Sequence, residues 1–348
     1  LSLLRSHRPP SYPLGKSWEY HSTGNDSSNA FFYAAINAGG LGIPHLQSRI
    51  PLNRKVRLDR HLASQNPLLH WALREPSIQS FHRLALKTTV IGGEVVTSKE
   101  QAEIAWRNSL WNTYDGAGLR DTPTLPQSHN WLRHPERLRP STFIRAIKLP
   151  AGVLPTKSRR SRGRPAIHTQ LTCRCGTAVE SISHILQTCP ITHDSRCRRH
   201  NDVVNSIAKT LRRKGVSFLL EPHIPFASSY LKPDLIVFKG NCVYIADIAI
   251  CDPHRMTATI KSKKEKYGSS EAIKATSDFL QGWNRQFTRI IQAPIVFNNR
   301  GFLHPTSFHP LSCMDISKSQ ICDLCFLCIC GSLKTYDAYM RGCDTMST

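Results

Sequence analysis

Long apolar runs are missing from this sequence. No stretch of about 18 consecutive apolar residues occurs, so hydropathy gives no membrane-spanning helix and no membrane partner. The opening LSLLRSHRPP has no signal-peptide core and no initiating Met, so the sequence reads as a fragment. Acidic residues are scarce: 24 Asp and Glu stand against 46 Lys and Arg, a formal net charge of +22. A protein this basic most often meets a polyanion, usually nucleic acid; the bland alternative is a merely soluble basic protein. Also missing is any YxDD-like pair of polymerase acids. What is present is a chain of 348 residues, 40% hydrophobic, with material for two or three domains with real cores. Twelve Cys and 16 His, without a secretory signal, argue for reduced thiols and metal binding over a disulfide framework.

In chain order, the Pro-, Ser- and His-rich opening is an irregular lead-in. Gly39-Gly40 and Gly42 then break the chain before a basic segment with Val56, Leu58 and Leu62 at roughly helical spacing. Ser98 with Gln101 three positions on is a capping-box pattern for a helix carrying Ile104, Ala105, Leu110 and Trp111, whose aromatics belong to a core rather than to base stacking. From Leu119 the chain is dense in Pro, Arg and His, with a short apolar element at Phe143–Leu149. Its strongest charge run holds Lys157, Arg159, Arg160, Arg162 and Arg164. Such a cluster neutralises phosphates; a solvated linker or a nuclear import signal are the competing readings.

Cys173, Cys175, His184 and Cys189 form C-x-C-x8-H-x4-C, three thiolates and one imidazole, the ligand set of a tetrahedral structural Zn²⁺ site. His193, Cys197 and His200 lie close behind and can replace a weak ligand. Together with Arg196, Arg198 and Arg199, His200 is also a candidate nucleic-acid contact just ahead of a helix. That helix, 202–214, sets Val203, Val204, Ile207, Ala208 and Leu211 on one face and ends at Gly215.

The centre of the chain is Glu221 to Tyr267. Leu235–Phe238 and Val243–Ile250 are β-branched and aromatic runs around a Lys239-Gly240-Asn241 loop, the composition of a hairpin. It carries Asp234 just before one strand and Asp247 inside the other. Two such acids can converge on one hard cation such as Mg²⁺. A buried Asp in an apolar strand is costly unless paired or bound to metal. Glu221 is a candidate third carboxylate, or a surface residue. Lys261, Lys263, Lys264, Lys266 and Tyr267 follow on a basic helix, and one Lys there can stabilise charge on a phosphorane. Cys313, Cys322, Cys325, Cys328 and Cys330, interleaved with Leu, Phe and Ile, suggest a buried apolar element over a metal site.

The succession GGLGIP, LPTKSRRSRGRP, CRCG…SHILQTCP…H…RCRRHN, KPD, Asp247, KKEKY and GSLKTYDAYMRG resembles the C-terminal half of a polyprotein. Its owners are the site-specific, type-1 non-LTR retrotransposons that insert into ribosomal RNA genes. The resemblance implies a multidomain α and α/β chain. Its parts would be an end of the polymerase region (1–28), a helical thumb-like domain (29–118), a basic linker (119–170), a CCHC zinc knuckle (171–200), a PD-(D/E)xK restriction-like endonuclease with a mixed central sheet flanked by helices (201–300) and a C-terminal extension (301–348). It assigns catalysis to Asp234, Asp247, Lys263, Lys266 and Tyr267, and metal to Mg²⁺ in the nuclease. The PD-(D/E)xK Lys two positions beyond the second acid is absent, that position being Ala249, so its role would pass to the following helix. The implied activity is nicking of target DNA in the nucleus to prime reverse transcription of element RNA. The upstream reverse transcriptase region, which would hold the polymerase site, is then a further partner. A nucleic-acid-binding module with an inert nuclease is the alternative.

Overall fold

A computed structural model describes residues 28–85, 88–120, 125–162, 170–282 and 287–344. Most of the lead-in and Arg164 therefore lie outside the described residues. The chain divides into two compact units, Leu1–Arg120 and Asp121–Thr348.

The first unit is built of helices α1 (Ser28–Tyr33), α2 (Leu46–Leu62), α3 (Pro67–Ala72), α4 (Pro76–Ala85) and α5 (Lys99–Trp111), with one hairpin, β1 (Thr89–Ile91) and β2 (Glu94–Val96). The GGLG segment folds back on α1: Leu41 N–H donates to the Phe31 carbonyl and Gly42 N–H to that of Ala34, each at 2.9 Å. A Cβ at residue 40 would stand 2.2 Å from the Ala34 oxygen, so only glycine permits this approach. Ser98 caps α5 by accepting the Gln101 N–H, a contact typically worth ~1 kcal/mol. The Gln101 side chain reaches back to the Thr97 N–H at 2.8 Å. In α2, Leu52 and Leu58 are buried while Val56 and Leu62 are exposed. The hairpin is an addition to the expected helices. Its Gly92-Gly93 turn has positive φ at both residues, the geometry that matches strand twist.

In the second unit, a four-stranded mixed sheet has the order β3 (Phe218–Leu220), β6 (Leu235–Lys239), β7 (Cys242–Cys251), β8 (Arg289–Asn298). The first three are antiparallel, and β7 and β8 run parallel. A parallel neighbour needs a crossover, supplied by α10 (Met256–Gly268) and α11 (Ser270–Gln281). A small hairpin, β4 (Ile224–Phe226) and β5 (Ser229–Leu231), stands beside it. Pro294 is tolerated inside β8 because that strand is an edge.

Alternation along β7 divides the core. Tyr244, Ala246 and Ile248 join Val203, Val204, Ile207 and Leu211 of helix α9 (His193–Arg213). Val243 and Ile245 join Tyr267, Ala272 and Leu280 of α10 and α11.

Two more helices, α12 (Pro305–Cys313) and α13 (Lys318–Asp344), complete the unit. Cys313 ends α12, while Cys322, Cys325, Cys328 and Cys330 lie on α13, with Cys325 and Cys328 fully buried in the apolar element expected. Its first half lies in the sheet core and its second half, with Ile329, Leu333, Tyr336 and Tyr339, in a core around Cys173 and Cys189. Segments 171–200, 201–300 and 301–348 thus share cores within one unit. The described part of the expected basic linker beyond Arg120 is packed there too: Trp131 is buried and stacks edge-on against Phe143 of α6 (Pro140–Lys148). The apolar residues around Trp131 provide enough burial to hold it, despite its Pro and Arg content. Among the described residues no helix is long and apolar enough to cross a membrane.

Candidate active site and metal centre

The Cys173–Val179 turn is closed by a bridge between Thr172 and Val179, with Gly176 at φ +74°. It presents Cys173 and Cys175, while helix α8 (Ile182–Gln187), capped by Ser181, presents His184 and is followed by Cys189. The four ligand atoms lie within 4.8 Å of one another. Cys173 and Cys189 sulfurs are 3.8 Å apart, about the S···S edge of a tetrahedron with 2.3 Å zinc–sulfur bonds. His184 Nε2 stands 3.2 Å from Cys175 Sγ, and its Nδ1 contacts Thr188 Oγ1 at 3.0 Å, which fixes the ring. Burial opposes ionisation of Cys175, but hydrogen bonds from Thr177, Cys173 and His184 pull its thiol down to about 6. Burial pushes Cys189 up to about 12. This cluster can hold a metal such as zinc.

Supports that the sequence did not reveal surround it. Tyr339 on α13 donates to Glu180 at 2.8 Å and lies 3.2 Å from Cys173 Sγ. The expected phosphate-binding run forms the short helix α7 (Lys157–Ser161), docked on the same turn: Lys157 N–H donates to Glu180 and its Nζ to the Thr172 carbonyl at 2.8 Å. Arg160 is exposed, and Arg159 and Arg162 are half-buried.

Helix α9 begins at His193, nine residues before the expected start at 202, so the basic residues assigned to a pre-helix segment are helical. This redirects them. Arg199 is buried, donating to Ser332 Oγ at 2.9 Å and to the Leu186 carbonyl at 3.0 Å. Arg196 donates to the Gln187 and Cys189 carbonyls. Both arginines therefore satisfy the end of α8 rather than facing outward, a correction for Arg199 above all as a nucleic-acid contact. Arg198 stays exposed. His193 and Cys197 contact one another and stand outside the four-residue cluster.

The β6–β7 hairpin forms as expected, with Gly240 at φ +55° in its loop. Its register pairs Leu235 with Ala246; one step further sets Asp234 opposite Asp247. The Ile248 N–H donates to Asp234 Oδ2 at 2.6 Å, and His200 Nε2 lies 3.4 Å from the same oxygen. Asp247 points to the α10 face, where Lys263 forms an ion pair with its Oδ2. That oxygen is buried, and no hydrogen bond of acceptable geometry reaches it among the described residues. Burial raises the Asp234 carboxyl, but His200, the Ile248 amide and Lys263 outweigh it and hold it below the usual range. Asp247 goes the other way: burial, with the Asp234 charge added, lifts it despite Lys263. The two neighbouring carboxyls are thus shifted in opposite directions.

Tyr267 is buried and donates its hydroxyl to the Lys232 carbonyl at 3.1 Å, bracing the Lys-Pro-Asp segment. Burial, and then the charges of Asp247 and Asp234, push its phenol up, so it stays protonated. Lys266 is exposed, its ammonium 4.9 Å from the Tyr267 ring centre. Glu221 is half-exposed at φ +46° and its carboxylate pairs with Lys232, so the structure gives it to a lysine rather than to the two acids. Sequence reasoning put His200 on nucleic acid and missed its approach to Asp234. The signal was present: residues 200, 203, 204, 207 and 211 form one helical stripe facing the sheet.

No family model matches the chain. Three similar proteins are retrovirus-related Pol polyproteins. One, from a type-1 R2 element of Popillia japonica, is 29% identical over 92% of this chain and 65% of its own length. Another, from the type-2 element R2DM of Drosophila melanogaster, is 34% identical over 68% of this chain and 22% of its own. A third, from a type-1 R2 element of Nasonia vitripennis, is 28% identical over 91% and 30%. The chain thus spans less than two thirds of each of these relatives. These relatives mark the chain as part of a mobile-element polyprotein. The chain belongs with the Pol polyproteins of R2 retrotransposable elements.

Proposed function

We propose that this chain is the DNA-cleaving part of an R2-type Pol polyprotein, a Mg²⁺-dependent endonuclease of the restriction-like PD-(D/E)xK kind. The observation that carries the reading is the juxtaposition of Asp234 and Asp247 across neighbouring strands, with Lys263 of the crossover helix on Asp247. Hard carboxylate oxygens, that of Asp247 buried and met by a single ammonium, fit Mg²⁺. Bound there, Mg²⁺ would offset negative charge at a scissile phosphodiester and lower the pKa of water. Asp234 and Asp247 hold the cation. Lys263 keeps positive charge where the phosphate gains negative charge, Lys266 contacts the phosphate backbone, and Tyr267 holds the segment that presents Asp234. The Cys/His cluster is a zinc knuckle that, with Lys157, Arg159, Arg160, Arg162 and Arg198, binds target DNA or element RNA. The nick primes reverse transcription by the polymerase region of the same polyprotein in the nucleus, on ribosomal RNA genes as target.

One observation favours a second reading, a nucleic-acid-binding module with an inert nuclease: the Lys263 ammonium already neutralises Asp247. Nicking of supercoiled plasmid by the zinc-loaded chain decides between them, in Mg²⁺, in Ca²⁺ and without added divalent ion. Nicking in Mg²⁺, lost in Asp234→Ala and Asp247→Ala while DNA binding is kept, is the expected result. Salt-sensitive binding with no nicking, in the presence of the polymerase region as well, overturns the nuclease reading.

A further inference from the structure

His200 comes from a different element and a different part of the sequence from the acids it meets. Its Nε2 is 3.2 Å from the Ile248 carbonyl oxygen and 3.4 Å from Asp234 Oδ2. Both partners are acceptors, so Nε2 carries the proton and the ring donates to this pair of oxygens. The Ile248 N–H donates to the same Oδ2 at 2.6 Å. Two donors therefore hold one oxygen of Asp234, and among the described residues no hydrogen bond engages Oδ1. On the other side of the ring, Nδ1 faces Asn201 Oδ1 at 3.3 Å.

The helix that delivers the ring is rigidly seated. Four residues and one residue before His200, Arg196 and Arg199 bond the carbonyls of Leu186, Gln187 and Cys189. Three residues after it, Val203 enters the sheet core. A side chain one turn from such anchors has little freedom to leave Asp234.

We propose that His200 is a positioning residue of the cleavage site: it fixes the Asp234 carboxylate through Oδ2 so that Oδ1 remains to receive the divalent cation. This rests on the endonuclease reading above, and it removes His200 from the residues that contact nucleic acid. Carboxylate ligands are oriented by such outer partners, whose removal costs about 10- to 100-fold in metal affinity.

The test is calorimetric titration of Mn²⁺ into the zinc-loaded full chain, with nicking kinetics alongside. Wild type is compared with Asp234→Asn, His200→Ala, His200→Asn and His200→Gln. Gln places an amide N–H near the position of Nε2, whereas Asn is one methylene shorter and withdraws the donor while keeping polarity. The expected result is loss of the Mn²⁺ site in Asp234→Asn and about tenfold weaker binding in His200→Ala and His200→Asn. His200→Gln should recover to within about threefold of wild type, and kcat should fall in Ala and Asn with KM for DNA unchanged. If His200→Ala does not fold, the Asn and Gln pair carries the comparison. Wild-type Mn²⁺ affinity in Ala or Asn, a failure of Gln to recover, or a raised KM with unchanged kcat overturns the inference and leaves the nuclease reading standing. Mn²⁺ binding that is absent in wild type, or indifferent to Asp234→Asn, overturns both.

Discussion

Replacing Lys263 by Met isolates what holds Asp247 in place. The substitution keeps most of the aliphatic stem and removes the ammonium from a carboxylate whose side chain is 7% exposed. Breaking a fully buried ion pair costs about 3–5 kcal/mol because the remaining charge is uncompensated. Lys263 itself is 27% exposed, so solvent already screens part of the pair, and ~2 kcal/mol is the working figure. For a unit of this size that lowers Tm by roughly 4–8 °C, read by calorimetry or circular dichroism on zinc-loaded protein without added Mg²⁺. The loss should depend on pH in a defined sense. The folded pKa of Asp247 is already above its ordinary value, so the acid is best accommodated when protonated, and stability falls as pH rises through the interval between the unfolded and folded values. Without Lys263 that interval extends upward, so the deficit should be larger at pH 8 than at pH 5. Mg²⁺ should raise the Tm of the variant more than that of wild type, because the cation then meets an unneutralised carboxylate. The decisive control is Asp247→Asn: in that background Lys263→Met should cost less than about 0.5 kcal/mol. An equal cost in both backgrounds would refute the argument.

Other perturbations test other parts of the molecule. His129 is buried against Phe302, and burial pulls its imidazole down to about 4. The unfolded chain takes up a proton below about pH 6.5 that the fold refuses, so stability should fall by ~3 kcal/mol between pH 6.5 and 4, and His129→Phe should flatten that part of a pH–stability curve. Cys189→Ser should abolish the bound zinc measured by metal analysis and also raise hydrogen exchange in the second half of α13, where Tyr339 touches Cys173. Gly301→Ala should destabilise by more than about 2 kcal/mol in denaturant melts, because φ is +87° and the added Cβ would fall 2.2 Å from Ile329. Neutralising Arg159, Arg160 and Arg162 together should weaken DNA binding and reduce the slope of log K against log salt by roughly 0.9 for each phosphate no longer neutralised.

The β6–β7 hairpin was legible because its two runs are β-branched and aromatic and its loop holds a glycine that accepts positive φ. The four cluster residues were legible from ligand chemistry alone, which demands soft donors and does not depend on the rest of the fold. What stayed hidden depends on tertiary contacts. The segment His193–Asn201 is polar and carries no apolar stripe of its own. It is helical because its arginines find carbonyls on α8 and Ser332 on α13, partners far away in sequence or in a different element. Strand β8 was obscured by Pro294, which only an edge position allows. Glu221 shows the limit of nearness in sequence: it sits close before the acids, yet a left-handed φ turns its side chain to Lys232.

Helix α9 is a single uninterrupted rod whose first half grips the Cys/His cluster and whose second half lines the sheet. Between the two, His200 lies beside Asp234. The Cys/His cluster and the acid pair are consequently tied to one helix. A recombination breakpoint within His193–Arg213 would join the arginines of one lineage to the carbonyls, sheet and acids of another, and chimaeras spliced there should be rare among functional descendants.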